Sequence, residues 1–529
     1  MVAGSSLLSR FLGIFRDRIL AGEFGAGDTL DIYYAAFRIP DLVFNLLVLG
    51  TLSAGFVPIF TGLIKNPLSK IKGIFSWEKN GEAWELASSI LSIIGLMLII
   101  FCGVGILAAP LFMKLIAPGF TEENRAIATS LTRIMFLSPL LLGISSVFGG
   151  ILQSFKRFFV YSLSPILYNV GIIIGVLYLV PVFNIYGLAI GVVLGALLHL
   201  AVQIPLIIKL GFRLKLRFNL KDRNVREIGR MMFPRAMSLA ISQINLLVIT
   251  VIASTLVSGS LAVFNFANNI QSFPVGVFGI SFAVAAFPTL SAVAFSRRKL
   301  VYNFSSAIRQ ILFFVVPATV LLITLRAQII RVILGTGAFD WEDTVLTLRT
   351  LGFFAISLFA QATLPLLVRM FYARHNSLTP FIIGLASALA NVFLSIWLAA
   401  KFGVAGLALA FSISSIINFV LLWLALRLEI GEMDEIKILT ATIKFSAAAV
   451  AAGITVQGLK FFISPYVDMT KLWGVLTQGL LAGLFGCFIY IAVCSFLGSE
   501  ELFSFWRAIK RHLPFAKVET GDQGEARGI

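Results

Sequence analysis

The stretch from Ile185 to Arg230, IYGLAIGVVLGALLHLAVQIPLIIKLGFRLKLRFNLKDRNVREIGR, changes character halfway. Its first part stays apolar long enough to cross a bilayer as a helix, which takes roughly 20 residues. Its second part carries Lys209, Arg213, Lys215, Arg217, Lys221, Arg223, Arg226 and Arg230 against only Asp222 and Glu227. A connection that basic, next to a spanning helix, belongs on the cytoplasmic side. It divides the apolar runs into those before and those after, and the chain can be laid out from it in both directions.

Before it lie runs near 2–24, 31–62, 85–115, 126–153, 159–180 and 185–210; after it lie runs near 228–257, 261–294, 306–334, 345–372, 378–400, 404–427, 438–463 and 473–497. The connections alternate in charge. Lys65, Lys70 and Lys72, then Lys156 and Arg157, then Arg297, Arg298 and Lys299, and finally Arg507, Lys510 and Arg511 share the side of the long basic stretch. Glu23, Asp28 and Asp31, then Glu122 and Glu123, then Asp340, Glu342 and Asp343 fall on the other. An odd number of spans would break this alternation. The sequence therefore predicts an all-α polytopic membrane protein with about fourteen transmembrane helices and both termini in the cytoplasm.

Composition points the same way, because 59% of the residues are hydrophobic and only 13% charged, whereas a soluble domain is about a quarter charged. Fourteen spans use up most of the 529 residues and leave no room for a large soluble domain. The net charge of +17 does not indicate a nucleic-acid partner, since the basic residues sit between apolar runs and not on a soluble face. Cys102, Cys487 and Cys494 lie inside apolar runs, and His199, His375 and His512 are scattered, so no metal-ligand set can be assembled. Arg10, Arg16, Asp17 and Arg18 interrupt the first run, which is expected to be kept as a helix and not cleaved as a signal peptide.

The first twelve spans form two groups of six. Phe183-x-x-x-Gly187-Leu188-Ala189 recurs as Phe402-x-x-x-Gly406-Leu407-Ala408, and Ser164-Pro165 and Thr379-Pro380 precede them at comparable distances. Gly-Leu-Ala is common in membrane helices, so the motif alone leaves a repeat and a coincidence equally open. With the long basic loop it suggests two parallel six-helix bundles, 1–210 and 231–428, around a central cavity. A basic cytoplasmic linker, 211–230, would join them, with two additional helices within 429–500 and a cytoplasmic tail from 501 to 529.

Charges inside spans are the residues most in need of explanation, since Arg or Asp at a helix centre costs roughly 2.5–3.5 kcal/mol on insertion scales. Arg10 and Asp17 are seven residues apart and share one face of the first helix, where they can line one cavity. Arg16 and Arg18 point elsewhere and can reach towards headgroups. Arg38-Ile39-Pro40-Asp41 predicts a kinked, charge-bearing second helix, with Arg38 either paired locally to Asp41 or facing cargo. Arg235, after Pro234 at the entry of the seventh span, is open to the same cavity or to a role as cytoplasmic anchor. Arginine in a membrane cavity suits an anion, because its planar fork gives paired donors to phosphate oxygens. No nucleotide-binding glycine loop and no catalytic constellation occurs, so the chain reads as a transporter, not an enzyme, with no cofactor.

Several motifs, in order along the chain, resemble one family. Ser9-Arg10-Phe11-Leu12-Gly13-Ile14-Phe15-Arg16-Asp17 comes first, then Phe24-Gly25-Ala26-Gly27 before Asp31, Phe37-Arg38-Ile39-Pro40-Asp41 and Phe56-Val57-Pro58. Ala117-Pro118-Gly119-Phe120, Ser242-Gln243-Ile244-Asn245, Phe273-Pro274-x-Gly276-Val277-x-Gly279 and Phe371-Tyr372-Ala373-Arg374 with Thr379-Pro380 follow. Together they resemble the MurJ (MviN) family of the multidrug/oligosaccharidyl-lipid/polysaccharide exporter superfamily. The resemblance implies a multi-pass flippase of the bacterial inner membrane that moves lipid II, the undecaprenyl-pyrophosphate-linked peptidoglycan precursor, outward by alternating access. It implies Arg10 and Arg16 in the cavity with Asp17 beside them, and Asp31 at the outer gate. The expected partners are lipid II, membrane lipids and cell-wall synthesis proteins, with the chain acting as a monomer.

The family pattern is not complete in this chain. Phe44, Asn45 and Asn269 stand where well-studied members have arginines, so Arg38 and Arg235 become the compensating candidates. The alternatives are an exporter of another polyprenyl-diphosphate-linked glycan, a drug/cation antiporter of the same superfamily, which would favour acidic cavity residues, and a scaffold for cell-wall enzymes that transports nothing.

Overall fold

A computed structural model describes residues 2–49, 55–64 and 81–512, with the side chains of 49, 233–235, 238 and a few positions near either end outside that description. Lys65, Lys70 and Lys72 lie outside the described residues. Among the described residues the secondary structure is helical throughout, with no strand. Among the described residues ten helices are long and apolar enough to cross a membrane, or eleven if Trp341–Ile356 and Leu358–Ala373, bent by 45° at their junction, count as one span. The three other expected spans are also helical: α1 (Val2–Phe24), α2 (Asp28–Phe44) with its continuation, and the long helix Arg223–Ser254. Charges interrupt α1 and the start of Arg223–Ser254, and α2 is only 17 residues long before its continuation, so length and apolarity alone do not pick them out. Large apolar side chains such as Leu107, Phe393 and Phe488 are exposed, as expected where lipid is the solvent.

The chain folds as two compact units, residues 1–263 with 334–343, and 264–333 with 344–529. The basic connection at 211–230 and the seventh expected span fall within the first unit. In that unit α1 and α2 are joined by α3 (Gly81–Ile116), α4 (Glu122–Met135), α5 (Leu137–Ser154), α6 (Phe158–Ile174), α7 (Tyr186–Ala201) and α8 (Arg223–Ser254). Local chemistry starts two of them. Thr121 Oγ1 accepts from Asn124 N at 3.2 Å ahead of Glu122 and Glu123 in the first turn of α4. Asp222 Oδ1 accepts from Asn224 N at 2.7 Å to open α8. Side-chain caps of this kind satisfy otherwise orphaned helix donors, and acidic residues suit the positive helix start.

Helices α6 and α7 meet through glycines. Gly171 and Gly175 face Gly195 and Gly191, so closely that a Cβ at position 171 or 175 would run into the opposing backbone. This small-residue spacing of four lets membrane helices approach where side chains would hold them apart. At the basic end of the unit an aromatic cluster fills the core: Trp84 stacks on Phe155 at 5.6 Å between centroids, and Phe60 packs against both.

Several of the described stretches wind more widely than an α-helix, among them Asn45–Leu49 after Pro40, Gly175–Leu179 after Pro165, and Val275–Ile280 directly after Pro274. Proline removes a backbone donor and clashes with the preceding turn, so ladder irregularity near it is expected. Around Pro40 itself the helix Asp28–Phe44 runs on without a break.

In the second unit the last two expected spans, Glu435–Ile463 and Leu472–Phe496, are tied to the helix Arg297–Thr324 and its neighbour. Tyr490 Oη donates to the Phe313 carbonyl at 2.7 Å, and Gln328 Nε2 donates to Gln478 Oε1 at 2.8 Å. Arg309 forms a buried ion pair with Glu501, at the start of the carboxyl-terminal helix Glu500–His512. The suspected repeat also has matching local geometry. Asn184 and Gly403 both adopt left-handed backbones, φ 50° with ψ −141° and φ 60° with ψ −140°. Gly187 and Gly406 each sit where a Cβ would strike the end of the preceding helix.

Candidate functional site: a charged, hydroxyl-lined cavity in the first unit

Arg16 turns back onto its own neighbour. Its Nη2 lies 2.7 Å from Asp17 Oδ1 and its Nε 3.1 Å from the same oxygen, while Nη1 reaches Asn169 Oδ1 on α6 at 3.3 Å. Asp17 is only 4% exposed, and a carboxylate buried that deeply in a membrane helix needs such a partner. Arg16 therefore does not reach for headgroups, and the face shared by Arg10 and Asp17 is not where Asp17 finds this cation. Arg10 is partly buried on α1.

One side of this cluster borders a cavity of about 430 Å³. Arg16, Asp41 and Phe44 line it, together with hydroxyl and amide side chains of α5, α6 and α7. Within its wall runs a polar network that joins these three helices. Ser145 Oγ is 2.6 Å from His199 Nδ1, and Gln203 Nε2 donates to Ser145 Oγ at 2.7 Å and Ser164 Oγ at 3.0 Å. Buried hydrogen bonds of this sort fix side-chain positions because every broken one leaves an unsatisfied group in low dielectric. His199 and Gln203, four residues apart in an apolar run, were the only local sequence signal of this network, and their Ser145 partner is remote in the chain.

Arg38 is engaged elsewhere. Its Nε donates to Thr250 Oγ1 on α8 at 2.9 Å, so it ties the second helix to the seventh, and the cavity lining takes Asp41 instead. Arg235 lies on α8, but its side chain is outside the described residues. Of the positions where the family pattern has arginines, Phe44 lines the cavity and Asn45 begins the widened turn after α2. Asn269 lies in the helix Ser260–Pro274, of the second unit from residue 264 on.

Asp31 is buried at the acidic end, where it accepts from the backbone N–H groups of Gly259 at 2.9 Å and Ala262 at 2.8 Å. It thus caps the helix that starts at Ser260. Around it Asp28 accepts from the Ser258 hydroxyl, Ala26 N donates to Asp343 Oδ2 at 2.9 Å, and Ala338 N donates to the Gly22 carbonyl at 2.8 Å. Gly259, Gly25 and Gly337 all have positive φ in this clasp, and a Cβ on any of them would meet opposing backbone. Among the described residues no group of three or more His, Cys, Asp or Glu is placed to hold a metal.

Many membrane-crossing helices, a cavity with an ion-paired arginine on its wall, and a glycine-built clasp at one end define a polytopic transporter. The chain matches the family described as "Lipid II flippase MurJ" over residues 20–477, and it belongs to that family. It is 28% identical over 510 residues, 94% of this chain and 95% of the relative, to the probable lipid II flippase MurJ of Vibrio cholerae. With that of Thermotoga maritima it shares 30% identity, covering 80% of this chain and 83% of the relative. Among solved structures it is similar to "Lipid II flippase MurJ, inward closed conformation", with a TM-score of 0.75 and 25% identity over 96% of this chain and 99% of that one. A multidrug transporter of the MATE family shares the fold, with a TM-score of 0.63 and 16% identity over 80% of this chain and 96% of that one.

Proposed function

We propose that the chain translocates lipid II across the bacterial inner membrane by alternating access, and that Arg16 engages the cargo's diphosphate. The observation that carries this is Arg16 itself: a guanidinium held inside the membrane, on the wall of a cavity, in a chain of the MurJ family. Arginine can exchange part of its contact with Asp17 for phosphate oxygens, which accept the same paired donors. In this reading the acidic end faces outside and both termini face the cytoplasm. The Asp31 clasp is then the outer gate, whose release opens the path outward. On this reading the chain works as a monomer beside cell-wall synthesis proteins.

Arg10 and Arg235 remain candidate contacts on this reading, whereas Arg38 acts first as a link between α2 and α8. Phe44, Asn45 and Asn269, in place of family arginines, favour as second reading another polyprenyl-diphosphate-linked glycan, held with fewer cations. Complementation tests the main reading. In cells depleted of their own flippase the wild-type chain should restore growth and Arg16→Ala should not, with both proteins present in the membrane at equal levels. Equal growth with Arg16→Ala would remove Arg16 from the mechanism.

A further inference from the structure

The chain continues as a helix beyond its last expected span. Gly498, with φ +63°, follows the helix Leu472–Phe496, and the N–H of Ser499 returns to the Cys494 carbonyl at 3.0 Å, which stops that helix. Ser499 Oγ then accepts from Leu502 N at 3.4 Å and opens the carboxyl-terminal helix Glu500–His512. The two glutamates in its first turn are already engaged. Glu501 is buried against Arg309 and accepts from Ser499 Oγ at 3.0 Å, while Glu500 lies 3.2 Å from Lys437 Nζ and 3.3 Å from Arg309 Nη1. This end of the helix is thereby fastened to the helices Arg297–Thr324 and Glu435–Ile463.

After Glu501 the helix carries Arg507, Lys510 and Arg511 and no acidic residue. Helical spacing puts positions 502, 505, 506 and 509 along one stripe and positions 507 and 511 on the opposite side. The ring of Phe505 shows which way the stripe points. It meets Phe314 at 5.2 Å between centroids, and Phe314 lies five residues deeper in the spanning helix Arg297–Thr324 than Arg309. The stripe therefore faces into the bilayer, and Phe503 and Trp506 beside Phe505 are exposed there.

We propose that the helix Glu500–His512 lies in the membrane surface at the basic end and binds the anionic phospholipids of that leaflet. Phe503 and Trp506 sit among the upper acyl chains, and the positive charge of residues 507–511 stands against the phosphates. Charge complementarity decides for lipid: an aromatic face opposite a face with only cations is the pattern of helices that lie in an interface, and tryptophan favours the headgroup level. A basic segment next to a spanning helix is drawn to the anionic cytoplasmic leaflet, so the inference rests on the reading that places the basic end in the cytoplasm, and not on the cargo. Through Glu501 and Arg309 the same contact holds the helix Arg297–Thr324 to the lipid surface.

Backbone hydrogen exchange of the full-length protein tests this, in nanodiscs of phosphatidylcholine alone and of phosphatidylcholine and phosphatidylglycerol in equal parts. Exchange over residues 502–512 should be about tenfold slower in the anionic discs, which three basic residues near such a surface can supply. Arg507→Gln/Lys510→Gln/Arg511→Gln should exchange at one rate in both lipids. Phe503→Ser/Trp506→Ser should exchange faster than wild type in both. Unchanged exchange over Leu472–Phe496 controls for folding in every variant. Equal wild-type exchange in the two lipids, or a lipid dependence that survives in the triple glutamine variant, would overturn the anchor. Slow exchange in discs cut from native membranes but in neither pure-lipid disc would also overturn it and assign the face to a protein partner. The discs have the same lipids on both faces and hold no cargo, so a negative result here falls on the anchor alone, while a chain that anchors yet moves no lipid II fails only the transport reading.

Discussion

Asp31 accepts a hydrogen bond from the backbone N–H of Ala262 at 2.8 Å, across 231 positions of chain. A single carboxylate on the second helix thereby terminates the start of the helix Ser260–Pro274, and Gly259 supplies a second donor at 2.9 Å. Losing such a cap costs about 1 kcal/mol, enough to shift a gate between closed and open by several-fold. Asp31→Ala should therefore raise the accessibility of a cysteine placed at Ser260, which is buried, to a membrane-impermeant thiol reagent, and Asp31→Asn, which keeps one accepting oxygen, should do so less. Equal labelling in all three proteins would separate Asp31 from closure.

The same clasp makes a sharper prediction about Gly259. Its φ of +83° suits glycine, and a Cβ would run into the Ala26 carbonyl. Gly259→Ala should cost roughly 1–3 kcal/mol of strain in the closed state. Gly498 has φ +63° with open space around it, so Gly498→Ala should cost only about 1 kcal/mol. Thermal unfolding in detergent, run side by side, reads the difference; a smaller loss at 259 than at 498 would contradict the clasp.

The Arg16–Asp17 pair predicts a non-additive result. Arg16→Ala takes the guanidinium away from a buried carboxylate, and breaking a buried pair costs roughly 3–5 kcal/mol, so the single variant should be less stable as well as inactive. Adding Asp17→Asn removes the charge that the guanidinium balanced. The double variant should recover most of the lost thermal stability and still fail to transport. Recovery of transport along with stability would mean that Arg16 serves only to neutralise Asp17.

Arg16 arrives at the cavity already paired with Asp17, so it cannot neutralise a diphosphate completely. Export then carries negative charge out of a negative interior. At roughly 2.3 kcal/mol per charge per 100 mV, two uncompensated charges gain about 4–5 kcal/mol. Flipping in proteoliposomes at a fixed lipid gradient should accelerate when an inside-negative potassium diffusion potential is imposed, and no nucleotide should be needed. Equal rates with and without the potential would leave the lipid gradient as the sole drive.

Much of the architecture was legible because membrane helices announce themselves by length and apolarity, and the helices beginning at Gly81, Phe158 and Leu472 fall close to where the runs predicted them. Proline marked the irregular second helix, although the wide turn begins at Asn45, five residues beyond Pro40. The Arg16–Asp17 contact was missed because helical spacing directs attention to residues three, four or seven apart, while adjacent side chains ordinarily diverge. Arginine is long enough to curl back across that divergence. Asp31's partners were unreadable for another reason: they are backbone N–H groups, which every residue but proline carries. The Ser145, His199 and Gln203 network depends on how three helices pack, which no local pattern encodes.

The central claim, that this chain moves lipid II across the membrane through a path controlled by Arg16, is tested most directly by reconstitution. Purified protein in liposomes loaded with fluorescent lipid II should expose the label to an external quencher in a time-dependent way. The Arg16→Ala/Asp17→Asn variant, folded by thermal unfolding, should show only the background of empty liposomes. Exposure at the wild-type rate by that variant, or none by the wild type, would contradict the account.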